Sequence, residues 1–150
     1  MPTNILRNRG SAVSARKAGR PEKGACQKRR VVIKAGRASI RADLLDTETA
    51  DRIWAALPLY SAAETWGSSI HFEIPVESGR ERNARSKSEL GDIYFWNEDN
   101  RIIIVFGRTP ISQPGEMRLS RPCNVWAKTT DDVTLLKTVV PGEKVSVTAG

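Results

Sequence analysis

The chain has 150 residues, 39% of them hydrophobic and 27% charged, which fits one globular domain plus a tail. No apolar run approaches the ~18 residues of a membrane-crossing helix. Two cysteines and a single histidine leave no basis for a disulfide framework or a structural zinc site.

The net charge of +7 is concentrated at one end. Residues 1–30 hold nine Lys/Arg against one acid, Glu22, a net of +8, and the rest holds 15 bases and 16 acids. That first stretch, "MPTNILRNRGSAVSARKAGRPEKGACQKRR", is too poor in large apolar side chains to offset its ordering entropy and predicts a disordered basic tail. Its Arg-rich, acid-poor composition fits an electrostatic arm, an organelle transit peptide or a solvated extension, and the last is the expectation adopted. Any nucleic-acid role would have to run through these residues, because the rest is near neutral. No secretory apolar core precedes the body, so a reducing cytoplasm is the expected location.

From Val31 the texture changes. "VVIKAGRASIRADL" reads as two strands in a tight hairpin, with Ile33, Ile40 and Leu44 facing inward. "DTETADRIWAALP" predicts a helix capped by Asp46 or Thr47. Its apolar stripe is Ala50, Ile53, Trp54 and Leu57, and it ends at Pro58. "SSIHFEIPV" alternates: Ile70, Phe72, Ile74 and Val76 share one face, and Ser69, His71 and Glu73 the other.

"ESGRERNARSKSE" reads as a long polar loop whose arginines and glutamates neutralise one another. "GDIYFW" and "RIIIVFG" are strands joined by "NEDN", the second apolar on both faces and therefore part of a covered sheet. "RTPISQPGEMRLSRP" reads as a second loop, "CNVWAKT" as a strand, "DDVTLLKTV" as a short helix and "EKVSVTA" as the last strand. About eight short strands with one or two helices predict a mainly β protein, a small closed barrel over 31–150.

The succession of the helix, "WGSSIHFEIP", "GDIYFW", "IIIVFGRTP", "NVWAK" and "PGEKVSV" resembles the small prokaryotic cyclophilin-like proteins, stand-alone barrels similar in fold to the peptidyl-prolyl isomerases. The resemblance spans roughly residues 31–149. Its "TADRIW" is similar to the T-A-x-x-F helix of cyclophilins, and "GSSIHFEIP" to their G-S-x-F-H-R-x-I-P. Laid on this sequence, the family's histidine falls on His71 and its catalytic arginine on Phe72.

The resemblance therefore implies a cyclophilin-like barrel that binds a peptide or small molecule in a rim groove, with weak or absent isomerase activity. The alternative is an active isomerase whose charge comes from a loop arginine: Arg80, Arg82, Arg118 or, above all, Arg108. His71 and Arg108 are the remaining candidates for a catalytic group.

Phe72, Tyr94, Trp96, Phe106 and Trp126 either line an apolar groove or fill the core. The expected binding set is Phe72, Glu73, Tyr94, Trp96, Arg108, Thr109 and Pro110, the last three because "FGRTP" turns out of a buried strand at the barrel rim. Glu73 with Glu64 or Asp92 would be a carboxylate pair, although solvated strand glutamates are common. Phosphate-cradle and serine-hydrolase motifs are missing from the sequence, and no cofactor or metal is expected.

Overall fold

The computed structural model describes residues 29–150. The basic tail expected over 1–30, with Cys26, lies outside the described residues except for Arg29 and Arg30. Arg29 pairs with Asp51 at 2.7 Å, and Arg30 already begins the first strand.

The first hairpin forms as its alternation requires. β1 (Arg30–Ala35) and β2 (Ala38–Leu44) pair antiparallel, with Ile33 opposite Ile40 and both fully buried. The turn takes glycine because Gly36 has φ +59°, and a Cβ there would lie 2.5 Å from the Glu143 side chain. Helix α1 (Glu48–Ala56) is capped by Thr47, whose hydroxyl accepts from the Ala50 N–H at 3.1 Å. Its Ala50 and Ile53 are buried.

Seven strands come next, followed by a 3-10 helix and a last strand. They are β3 (Leu59–Ala62), β4 (Glu64–Thr65), β5 (Ser69–Glu73), β6 (Arg85–Ser88), β7 (Asp92–Trp96), β8 (Arg101–Val105) and β9 (Met117–Lys128). The 3-10 helix, Val133–Thr138, is capped by Asp132, and β10 (Lys144–Ala149) ends the chain. The described residues thus hold ten strands rather than about eight.

Beyond the short β3 and β4, the departures fall in the two expected loops. β6, "RSKS", lies in the stretch expected as a loop, and β9 reaches back into the second expected loop as far as Met117. These two segments pair with each other, so main-chain hydrogen bonding, with burial of Leu119 and Cys123 on one side of β9, makes them strands.

Along the sheet the order is β3-β10-β1-β2-β9-β7-β8-β5-β4, with β6 on β9 and every pair antiparallel. Its two end strands, β3 and β4, are separated in sequence by Ala63 alone. The Ala63 N–H donates to the Glu143 carbonyl and its carbonyl accepts from the Gly142 N–H, each at 2.8 Å. The sheet therefore curls into a nearly closed barrel.

Inside lie Ile70 and Phe72 of β5, Ile93 and Phe95 of β7, and Ile102 and Ile104 of β8, with Val31, Ile33, Val145 and Val147. Trp126 and Ala127 are consecutive yet both belong to this core. A bulge in β9 allows it: Ala127 opposes Ile93 and Val125 opposes Tyr94, leaving Trp126 as the extra residue. A second, smaller cluster of Tyr94, Ile103, Val105, Leu119, Cys123 and Val125 forms on the outer face. That cluster is why "RIIIVFG" is apolar on both sides. Among the described residues, no helix is long and apolar enough to cross a membrane.

Candidate functional site

The outer face of β5, β7 and β8 is incompletely covered by the first half of β9. A groove of ≈ 270 Å³ remains, lined by Ser69 and His71 of β5, Trp96 of β7, Ile103 of β8, Leu119 and Ser120 of β9, and Trp66 from the turn before β5. Strand parity puts the β5 and β8 residues there. In β5 the odd positions face out, as the alternation predicted, and Ile103 shares that side.

The groove's walls are held by two turns that clasp each other. The Ser68 N–H donates to the Arg108 carbonyl at 2.8 Å, and the Phe106 N–H to the Ser68 carbonyl at 2.9 Å. Gly67, at φ +59°, is where they touch: a Cβ there would come within 2.8 Å of Pro110 Cδ. Beside Gly67, the Ser69 hydroxyl donates to the Trp66 carbonyl at 2.6 Å.

Thr109 is buried, and its hydroxyl donates to the Arg118 carbonyl. Its N–H donates to the Ser112 hydroxyl at 3.0 Å, which also accepts from the Arg118 N–H at 2.9 Å. Thr109 therefore fixes the strand segment that carries Leu119 and Ser120. Arg108 is exposed, and its Nη2 donates to the Ser112 carbonyl at 3.2 Å. "FGRTP" thus stands behind the walls, and none of Arg108, Thr109 and Pro110 lines the groove.

At the β4 side, Arg101 of β8 reaches over β5. Its Nη1 lies 3.2 Å from His71 Nδ1 and 3.4 Å from Glu64, while its Nε donates to Asp99 at 2.7 Å. A guanidinium has no acceptor, so Nδ1 must accept, and the neutral ring carries its proton on Nε2. Burial first, then the Arg101 charge, pushes the His71 pKa below its ordinary 6.5, with Glu64 and Asp99 opposing.

The remaining expected residues divide by face. Trp96 lines the groove, and its indole N–H donates to Glu98 at 3.3 Å. Tyr94 is buried in the outer cluster, its hydroxyl accepting from the Glu89 N–H at 3.0 Å. Phe72 is fully buried in the inner core and does not open onto the groove, so its place in the expected binding set is corrected: even-numbered positions of β5 point inward. Glu73 is exposed opposite Arg101, and Glu64 and Asp92 are each engaged by cations, Arg101 and Lys128. No carboxylate pair forms from these three.

Two groups near the groove that could act as nucleophiles are tied up, although the Ser120 hydroxyl also lines it. The Ser69 hydroxyl is committed to the Trp66 carbonyl, and burial pushes the nearby Cys123 thiol up to about 12. Among the described residues, no group of His, Cys, Asp and Glu could hold a metal ion.

Sequence reading did not find Arg101, Trp66, Ile103, Leu119 or Ser120. The antiparallel register of β5 and β8 places Ile103 directly opposite His71 on that face. Nothing in "MRLSRP" announces that Leu119 folds over it.

The His71 environment makes a pH prediction. An unfolded chain takes up a proton below pH 6.5 that the folded ring resists, so the stability His71 contributes is present above pH 6.5 and is lost as pH falls through the folded value. The single histidine's ring resonance should titrate with a midpoint below 6.5, and Arg101→Gln should raise that midpoint. A wild-type midpoint at or above 6.5 would contradict the geometry.

Comparison with known proteins adds three findings. The family model described as Cyclophilin-like matches residues 29–148. Among solved structures, the chain is similar to the hypothetical protein AF2241 from Archaeoglobus fulgidus, at 32% identity and a TM-score of 0.73, over 86% of this chain and 98% of that one. It is similar in fold to McbB, solved in complex with tryptophan, at 16% identity and a TM-score of 0.60, over 79% of this chain and 44% of that one. A search of the curated proteins gave no match.

Proposed function

Because this chain belongs to the cyclophilin-like family, we propose that it binds a peptide or small molecule in the outer-face groove and has weak or absent peptidyl-prolyl isomerase activity. The observation that carries this reading is the state of the guanidinium beside the groove. Arg101 is held by Asp99, Glu64 and His71 together.

Prolyl isomerisation must overcome a barrier of ~18–20 kcal/mol set by partial double-bond character in the amide. A cation lowers it only where it is aimed at the charge that develops in the transition state. A guanidinium already committed to two carboxylates and an imidazole is poorly placed for that. The groove still offers two indoles, two aliphatic side chains and one imidazole, which suit binding.

A protease-coupled prolyl isomerisation assay on the purified protein tests the reading. The expected result is a rate close to the uncatalysed one. Turnover comparable to an authentic cyclophilin would overturn it. Loss of that turnover in Arg108→Ala, with thermal stability unchanged, would then assign the charge to the loop arginine instead.

A further inference from the structure

The groove also carries information on which ligand it takes, an inference that rests on the binding role proposed above. Its ≈ 270 Å³ lies at the small end of ligand sites, which run from ~300 Å³ upward, so a single ring with one substituent fits better than a drug-sized molecule or a long peptide face. Trp66 and Trp96 give flat apolar surfaces suited to a ring.

His71 is the polar anchor. Its Nδ1 edge is taken by Arg101, and its Nε2 has no hydrogen-bond partner among the described residues although the ring lines the groove. Arg101 fixes which nitrogen carries the proton, so the His71 ring offers one N–H donor for an acceptor on the ligand, and the Ser120 hydroxyl, which also lines the groove, can donate or accept.

Charge then narrows the class. An anion would find no surplus positive charge, because Arg101 is matched by both Glu64 and Asp99. Those carboxylates are 59% and 52% exposed, so solvent screens the pull they would exert on a cation. A cation without an acceptor would also meet the His71 N–H head-on and leave it unpaired.

We infer that the groove takes an uncharged, single-ring molecule bearing a carbonyl-type acceptor, with the ring beside Trp66 and Trp96 and the acceptor on His71 Nε2–H. An aromatic amide is the simplest member of that class. Arg101 is the positioning residue that sets the tautomer, and His71 is the residue that selects for the acceptor.

Three planar molecules of nearly equal shape separate the possibilities: benzamide (neutral), benzoate (anionic) and benzamidinium (cationic). They are titrated into the full chain at pH 7.5 while the indole N–H resonances of Trp66 and Trp96 are followed. Benzamide should shift both indoles and bind about tenfold more tightly than either ion, the difference expected for one well-made hydrogen bond in a semi-enclosed site.

His71→Phe should lose about that same tenfold for benzamide. His71→Gln, whose amide can accept from Arg101 and still donate to the ligand, should restore most of it. Preference for benzoate or benzamidinium, or equal binding of benzamide by wild type and His71→Phe, would overturn the ligand class while leaving a binding groove. Failure of all three molecules to shift either indole would overturn the groove as a site for single-ring small molecules, and the ligand class with it.

Discussion

Replacing Phe72 with arginine is expected to unfold the protein rather than to give it isomerase activity. The motif "GSSIHFEIP" invites the opposite experiment, since a cyclophilin's arginine aligns with this position. Strand geometry decides against it. Successive side chains of β5 alternate between faces, and Phe72 sits opposite Ile102 on the inner face, wholly buried among apolar side chains.

A guanidinium there has no carboxylate to meet, and leaving a charge buried and unpaired costs several kcal/mol even after relaxation, on the order of 3–5. Loss of the aromatic packing adds about 3–5 kcal/mol. Together these come to about 6–10 kcal/mol, comparable to the ~5–15 kcal/mol that holds a typical domain folded. Circular dichroism and denaturant melting of Phe72→Arg should show no cooperative transition. Glu73→Arg, one residue on and exposed, should melt within ~0.5 kcal/mol of the parent. A cooperatively folded Phe72→Arg protein would refute the assigned parity of β5.

The second large effect is expected at Asn124, in the middle of the apolar run "CNVWA". Its side chain is fully buried and fully used. The amide donates to the Thr49 hydroxyl at 3.1 Å and to the Gly79 carbonyl at 2.8 Å, and its oxygen accepts from the Glu81 N–H at 2.8 Å. Glu81 in turn accepts from the Thr49 N–H at 2.8 Å.

One side chain thus ties β9, the first turn of α1 and the loop after β5. Asn124→Ala should cost about 3–4 kcal/mol, because each buried polar group left without a partner costs ~1–3 kcal/mol. Thr49→Val keeps the volume but removes one of these bonds and the 2.8 Å bond between the Thr49 and Ser78 hydroxyls, and should cost about 1–2 kcal/mol. Equilibrium denaturation of both variants measures the difference. Equal, small effects would mean that water replaces the network without loss.

The groove shows where sequence reading reached and where it stopped. His71 was legible as an outward residue of β5 because alternation is a local property of extended backbone, and Trp96 followed from the same rule. "FGRTP" was legible as a rim turn, but its role was not. Its donors and acceptors are spent on Ser68, Ser112 and Arg118, and the Ser68 pairings depend on two turns meeting that are about 40 residues apart in sequence. Arg101 was passed over because an arginine opening an apolar strand looks like a solvated end. Only the β5–β8 register brings it to His71.

What the sequence by itself determined is the set of properties carried by local pattern and composition. These are the mainly β barrel, the capped helix ending at Pro58, the inner faces of the strands, the confinement of positive charge to one end, and the family. Tertiary structure alone decided that β6 and the first half of β9 are strands, that Trp126 enters the core at a bulge, and that a guanidinium is committed beside the groove. The reason is physical. A side-chain period is set by neighbours one or two residues away, whereas a groove, a bulge and an ion cluster are set by hydrogen-bond register between segments distant in sequence. That register is fixed only when the sheet closes.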